Sequence, residues 1–147
     1  MIQTRLSLLL ALSFFALSPA VNATPGCKIA AFPGYQLEYC LYPGPGPTVV
    51  LETAQGTDMR VWTADFVERL NGFSTVLTYN RVGYGRSYLR GLPMHAPVTA
   101  RGTTQRLHRL LLRLYPDRPV ILVGHSIGGC MRSFLRAPIH NSWRCLC

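Results

Sequence analysis

The stretch Val120-Ile-Leu-Val-Gly-His-Ser-Ile-Gly-Gly129 decides how this chain is read. Pro119 opens it, and Val120 to Val123 form a short β-branched and aliphatic run of the kind that makes a fully buried strand. The run meets Gly124-x-Ser126-x-Gly128, the spacing of a nucleophile elbow, in which a strand turns sharply into a helix with a serine at the apex. Gly124 and Gly128 suit such a turn because a Cβ at either position would collide with the neighbouring strand or helix. The alternative is a serine in an ordinary glycine-rich turn. The buried run before it, with His125 and Gly129 around it, favours the elbow.

At 147 residues the chain makes a single domain at most. Residues 1–23 stand apart from it. Arg5 gives a positive start, Leu6 to Leu17 is apolar, and Val21-Asn22-Ala23 has the small-x-small character of a cleavage site. An apolar run of about a dozen residues is short for a membrane span. The expectation is a cleaved secretory signal with its site near Ala23, a secreted or periplasmic location, and no stable membrane span after cleavage. An uncleaved anchor is the weaker alternative. Five cysteines fit an oxidising compartment, and Cys27 and Cys40 bracket a short loop across which they could pair. Cys145-x-Cys147 has no second ligand pair at zinc spacing, so no metal site is expected.

The formal charge of +9 raises the question of a nucleic-acid partner. Between Thr24 and Gly129, however, 11 basic residues face 6 acidic ones and are scattered among the expected strands and turns. One local group, Arg106, Arg109 and Arg113, falls on a helix face that reads as solvated. No nucleic-acid partner is expected.

Along the chain, Tyr35 to Tyr42 reads as a strand ended by Pro43-Gly-Pro-Gly-Pro47, and Thr48 to Leu51 as the next. Trp62, Phe66 and Leu70 lie at helical spacing, which predicts a helix over Arg60 to Leu70 with Gly72 capping it. Thr75 to Tyr79 is a third strand, and Leu89 to Arg101 a surface connection. Leu107, Leu110, Leu111 and Leu114 then make one apolar helix stripe. Strands alternating with helices predict an α/β architecture with a mostly parallel sheet.

Three motifs in this order resemble the α/β-hydrolase family, of the esterase or lipase-like kind, over roughly residues 35–129. Val49-Val-Leu-Glu52, a small-residue loop and Trp62 resemble its first long strand and oxyanion loop. Asn80-Arg81-x-Gly83-x-Gly85-x-Ser87 is similar to its Asp-Arg-x-Gly-x-Gly-x-Ser turn, and Gly124-His-Ser-Ile-Gly-Gly129 to its elbow. Asn80 departs from the usual Asp and removes a charge that helps hold that turn. Ala54 stands where glycine is usual and is expected to crowd the oxyanion loop.

The resemblance implies acyl-ester hydrolysis without a cofactor, on a small-molecule ester or related acyl substrate. Ser126 would be the nucleophile, with an oxyanion hole from the backbone N–H of Ile127 and of Gln55. A serine hydroxyl needs an adjacent base to take its proton. The family's order is Ser, then Asp or Glu, then His, yet after Ser126 this sequence has one histidine, His140, and no carboxylate. His125 adjoins the serine, where the resemblance implies a side chain pointing into the structure. His95, His108, Asp58 and Asp117 read as structural or solvated. No triad can be drawn.

Residues 130–147 have no clean helix or strand period. Read from the third base of the Cys130 codon, permitted codons give Tyr-Ala-Gln-Leu-Phe-Ala-Arg-Pro-Tyr-Pro-Gln-Gln-Leu-Ala-Val-Leu-Val-Leu, which resembles the family's helix after the elbow, its Tyr-Pro stop and the next strand. The expectation is a signal peptide over 1–23, a partial α/β-hydrolase domain over 24–129, and an out-of-frame tail over 130–147 after loss of one nucleotide near the codons for Gly128–Gly129. Such a chain keeps about half a sheet, with the elbow strand at or near an uncovered edge, and is inactive. The alternative is a non-catalytic exported remnant or binding protein that uses the same half-sheet as scaffold.

Overall fold

The computed structural model describes residues 26–94, 96–129 and 144–146. The expected signal segment with its cleavage site, His95, His140 and residues 130–143 of the tail lie outside the described residues.

Among the described residues seven strands form one mixed sheet: β1 (Cys27–Phe32), β2 (Tyr35–Tyr42), β3 (Thr48–Glu52), β4 (Thr75–Tyr79), β5 (Tyr88–Leu89), β6 (Val120–Gly124) and β7 (Arg144–Leu146). Their spatial order is β1-β2-β4-β3-β6-β7, with β5 beside β2. From β4 onward every pairing is parallel, while β1, β2 and β5 add an antiparallel part. The expected strands over residues 35–42, 48–51 and 75–79 are all present. β1 and β5 are elements that the sequence reading did not assign.

The central strands are short continuous apolar runs because both of their faces are covered. On one face α2 (Ala100–Leu114) lays Leu107, Leu110 and Leu111 against Leu37, Val50, Leu77 and Leu122. On the other, Val67 of α1 (Ala64–Asn71) packs with Val49, Leu51 and Val76.

α1 is shorter than the period of Trp62, Phe66 and Leu70 predicts. Asp58 instead caps a 3₁₀ turn over Met59–Val61, and the Thr63 hydroxyl accepts from the Phe66 N–H to start the α-helix at Ala64. Trp62 therefore sits between two helical pieces, stacked on Phe66 at 5.4 Å. Gly72 is the C-cap but keeps a right-handed φ of −57°, so its conformational freedom is not used there.

The basic face of α2 is not simply solvated. Arg106 lies over the Tyr35 ring at 5.7 Å and Arg113 over the Phe32 ring at 5.6 Å. Arg113 also donates from Nη1 to the Ala31 carbonyl at 2.9 Å. These arginines tie the helix to the β1–β2 hairpin through aromatic faces. Cys27 and Cys40 face each other in register across that hairpin, with Cα atoms 4.1 Å apart and their sulfurs joined.

The elbow strand is not at an open edge. β6 lies between β3 and β7, pairing in parallel with both, so part of the tail lies where a further sheet strand belongs.

Candidate active site

β6 delivers the chain to the elbow. Val120 and Leu122 are buried in the α2-side core, and Gly124 pairs in register with Glu52 at the end of β3. The chain then reverses. The Gly128 N–H donates to the His125 carbonyl at 3.0 Å and the Gly129 N–H to the Ser126 carbonyl at 2.9 Å, opening a helical turn over 127–129. Ser126, at the apex, is exposed and has a φ of +57°. Among the described residues it is the only non-glycine with a positive φ. A side chain held in this left-handed region costs on the order of 1–3 kcal/mol and persists only where the surroundings impose it.

The surroundings here do so. A Cβ on Gly124 would collide with the backbone of Gly128 and Gly129, and one on Gly128 would lie 2.8 Å from Glu52 Cγ and 2.8 Å from the Thr53 carbonyl oxygen. Neither glycine has a positive φ, so both are required for space rather than for conformation.

The loop after β3 approaches the same place. Glu52 accepts the His125 N–H on its carbonyl at 3.1 Å, which fastens the elbow to the end of β3. Gln55 and Ile127, the two residues expected to supply the oxyanion hole, line one cavity of about 550 Å³ together with Arg81, Tyr84, Val98 and Thr103. Neither backbone N–H has an acceptor among the described residues. Ala54 is buried in this loop without a positive φ, and Gly56 takes the left-handed position at φ +81°.

Beneath the loop is a buried polar group that the sequence reading missed. Glu52 is 1% exposed, accepts the Tyr79 hydroxyl on Oε2 and the Thr53 N–H on Oε1 at 3.1 Å, and lies 3.6 Å from Arg81 Nε. Burial raises its pKa to about 7 and outweighs the opposing pull of Tyr79, Arg81 and the Thr53 N–H. The same burial, with the charge of Glu52, drives the Tyr79 hydroxyl well above its usual range. The available signal was a lone carboxylate ending an otherwise apolar strand, since charged residues are almost never fully buried unless paired.

No base stands beside the serine among the described residues. His125 is exposed, contrary to the inward orientation that the resemblance implied, and meets Trp62 edge-on at 6.4 Å. His108 is on α2 with Nε2 buried and without a partner, and burial followed by the charge of Arg109 lowers its pKa. Asp58 is engaged by Arg60, and Asp117 is exposed in the turn before β6. The described residues contain no cluster of three or more His, Cys, Asp or Glu that could hold a metal, and no helix long and apolar enough to cross a membrane.

Solved structures share this fold. A hydrolase from Pseudomonas aeruginosa PA01 superposes with a TM-score of 0.68 at 25% identity, covering 81% of this chain and 44% of its own. The Cif epoxide hydrolase from Acinetobacter nosocomialis gives 0.66 at 18% identity, covering 81% of this chain and 36% of its own. A thioesterase domain from the curacin biosynthetic pathway gives 0.61 at 24% identity, covering 74% and 40%. The fold is that of the α/β-hydrolases. The chain spans well under half the length of these structures. No family model and no curated protein matches the sequence.

Within this α/β-hydrolase fold the turn after β4 keeps its charge in a different place. The Asn80 amide donates to Glu38 Oε2 at 2.9 Å, and the Arg86 N–H and Nε donate to the same carboxylate at 2.8 Å each. Burial pushes the Glu38 pKa up, but these bonds outweigh it and hold the carboxyl below its usual range. The charge expected at position 80 thus comes from β2, and position 80 must be a donor. Asn80→Asp is expected to destabilise the fold by about 2 kcal/mol or more, because it removes that donor and sets two carboxylates together. Thermal melts of the variant at pH 7 check this, and Asn80→Asp/Glu38→Gln should recover part of the loss.

Proposed function

We propose that this chain derives from an exported α/β-hydrolase that cleaved acyl esters through Ser126. The acid and the base that Ser126 would need are not among the described residues. The observation that carries the reading is the strained backbone of Ser126, held at the apex of a turn whose two glycines leave no space for a side chain. A serine so placed projects its hydroxyl away from the sheet, open to attack a carbonyl. The N–H groups of Gln55 and Ile127, two residues that line one cavity, would take the negative charge that develops on the carbonyl oxygen, at a few kcal/mol each.

The α/β-hydrolase neighbours support a small-molecule substrate, and a serine nucleophile favours acyl transfer over epoxide opening. Export is supported by the apolar leader and by the joined sulfurs of Cys27 and Cys40, a pairing that an oxidising compartment sustains. The loss of frame is supported from a separate direction. β7 falls at Arg144–Leu146, where permitted codons of the alternative frame allow Val-Leu-Val, a better buried parallel strand than Arg-Cys-Leu.

The test is to reinstate one nucleotide at the Gly128–Gly129 codons and express the resulting frame. That chain is expected to contain an Asp and then a His downstream and to hydrolyse a short-chain p-nitrophenyl ester, with Ser126→Ala abolishing turnover. A restored frame that stops at once, or that encodes no such pair, refutes the proposal.

A further inference from the structure

The side chain of Arg81 makes a single hydrogen bond among the described residues, from Nη2 to the carbonyl oxygen of Ala54. Its Nε is buried without a hydrogen-bond partner and faces Glu52 at 3.6 Å, a distance of charge balance rather than of bonding. Its guanidinium also lies 5.6 Å from the centre of the Tyr84 ring, and Tyr84 in turn accepts the Gly56 N–H on its hydroxyl at 3.0 Å. Arg81 is thus fixed from two sides, with one donor directed at one peptide. That peptide links Ala54 to Gln55.

A trans peptide points its C=O and N–H in opposite directions, and no cis bond occurs among the described residues. Arg81 is 7% exposed, so the Ala54 carbonyl that reaches it is drawn inward. The Gln55 N–H of the same plane must then point outward, on the exposed side of the loop. Gln55 and Ile127 line one cavity with Arg81, whose buried guanidinium holds the carbonyl side of the peptide. The Thr57 hydroxyl donates to the same carbonyl at 2.9 Å and holds the loop closed, but it belongs to the loop itself and cannot anchor it to the sheet. Arg81 is anchored elsewhere, just past the end of β4.

We infer that Arg81 is the positioning residue of this site: by gripping the Ala54 carbonyl from beneath, it aims the Gln55 N–H at the place where an acyl oxygen would acquire charge. Glu52 and Tyr79 serve Arg81 in this arrangement. They keep a charged guanidinium in the interior, where an isolated cation would be expelled, and leave its Nη2 free for the peptide. The inference rests on the reading of Gln55 and Ser126 as parts of one site.

The test uses the chain as it exists, labelled with ¹⁵N and ¹³C. Three variants are compared: Glu52→Gln, Arg81→Met, and the double variant Glu52→Gln/Arg81→Met, which leaves no unpaired buried charge and so retains the fold if the single arginine variant does not. Loss of the guanidinium is expected to move the Ala54 carbonyl carbon upfield and to drop the Gln55 amide order parameter from about 0.85 to below about 0.6. Glu52→Gln alone, which weakens the hold on the guanidinium but leaves it present, should change both values in the same sense and by less than Arg81→Met does, while the amides of β4 keep their order parameters in all three variants, which separates a grip on the peptide from general loosening of the interior. A Gln55 amide that stays ordered in the double variant overturns the inference while leaving Ser126 as nucleophile intact. If Gln55 loosens as expected but Ser126 in the frame-restored chain resists acylation, the site reading fails and the assigned purpose of Arg81 falls with it.

Discussion

Gly124→Ala is expected to lower stability by about 3 kcal/mol, roughly a 10 °C fall in Tm for a domain of this size. The added methyl group would meet the backbone of Gly128 and Gly129, which cannot swing aside as a flexible side chain would. Relief would require β6 and the turn after it to separate, and β6 is held on both sides by parallel neighbours. Ser126→Gly should behave in the opposite sense. Placing glycine in ordinary structure costs up to about 1 kcal/mol, but here it removes left-handed strain, so stability is unchanged or raised slightly. Chemical denaturation of the two variants beside the parent checks both signs. A harmless Gly124→Ala, or a Ser126→Gly that loses stability, would mean that the turn is not the strained one described.

Glu52 supplies the second large effect, on pH dependence. Its folded pKa is raised from 4.5 to about 7, so between those values the folded chain holds the proton more tightly than the unfolded chain does. The stabilisation is therefore complete below pH 4.5 and is lost as pH rises through about 7, after which the curve flattens. A shift of this size corresponds to about 3 kcal/mol. Glu38 acts in the reverse direction, because its depressed pKa adds stability above its unfolded value that disappears in acid. The two are separated by subtraction. Parent minus Glu52→Gln should decline by about 3 kcal/mol from pH 4.5 to pH 7.5, measured by urea unfolding at each pH. A flat difference would show that Glu52 is not desolvated, and with it that the loop beneath Gln55 is open to water.

These two effects mark where the sequence was and was not legible. β2, β3 and β6 could be read because Pro or Gly bounds them, and β4 because Thr-Val-Leu-Thr-Tyr is a run of strand-forming residues. The stripe of α2 could be read because four leucines share one face. The start of α1 could not. Trp62 continues the helical spacing in sequence, but Asp58 and Thr63 each cap their own turn and break it. β1 was missed because Cys-Lys-Ile-Ala-Ala-Phe alternates weakly, and only Ala30 of it is buried. β7 has no strand signal of its own, and it is its partner, β6, that gives it a place.

At the site, Ser126, Gln55 and Ile127 were named from spacing and resemblance, and the fold brings Gln55 and Ile127 to one cavity beside the exposed serine. Glu38, Glu52, Tyr79 and Arg81 were not seen as a support for that site. Their partners lie 27 to 48 residues away in sequence, and no periodicity reports a contact of that range. Asn80 is the instructive residue. Taken alone it is a missing charge; beside Glu38 it is the donor that a carboxylate already in place requires.

The account stands or falls on whether Ser126 sits in a site that lacks only its acid and base. A fluorophosphonate probe, which phosphonylates an activated serine with loss of fluoride, should leave the present chain unlabelled and modify the frame-restored chain at Ser126, as located by peptide mass spectrometry. Equal labelling of both chains at Ser126 would contradict the account, and so would labelling of neither.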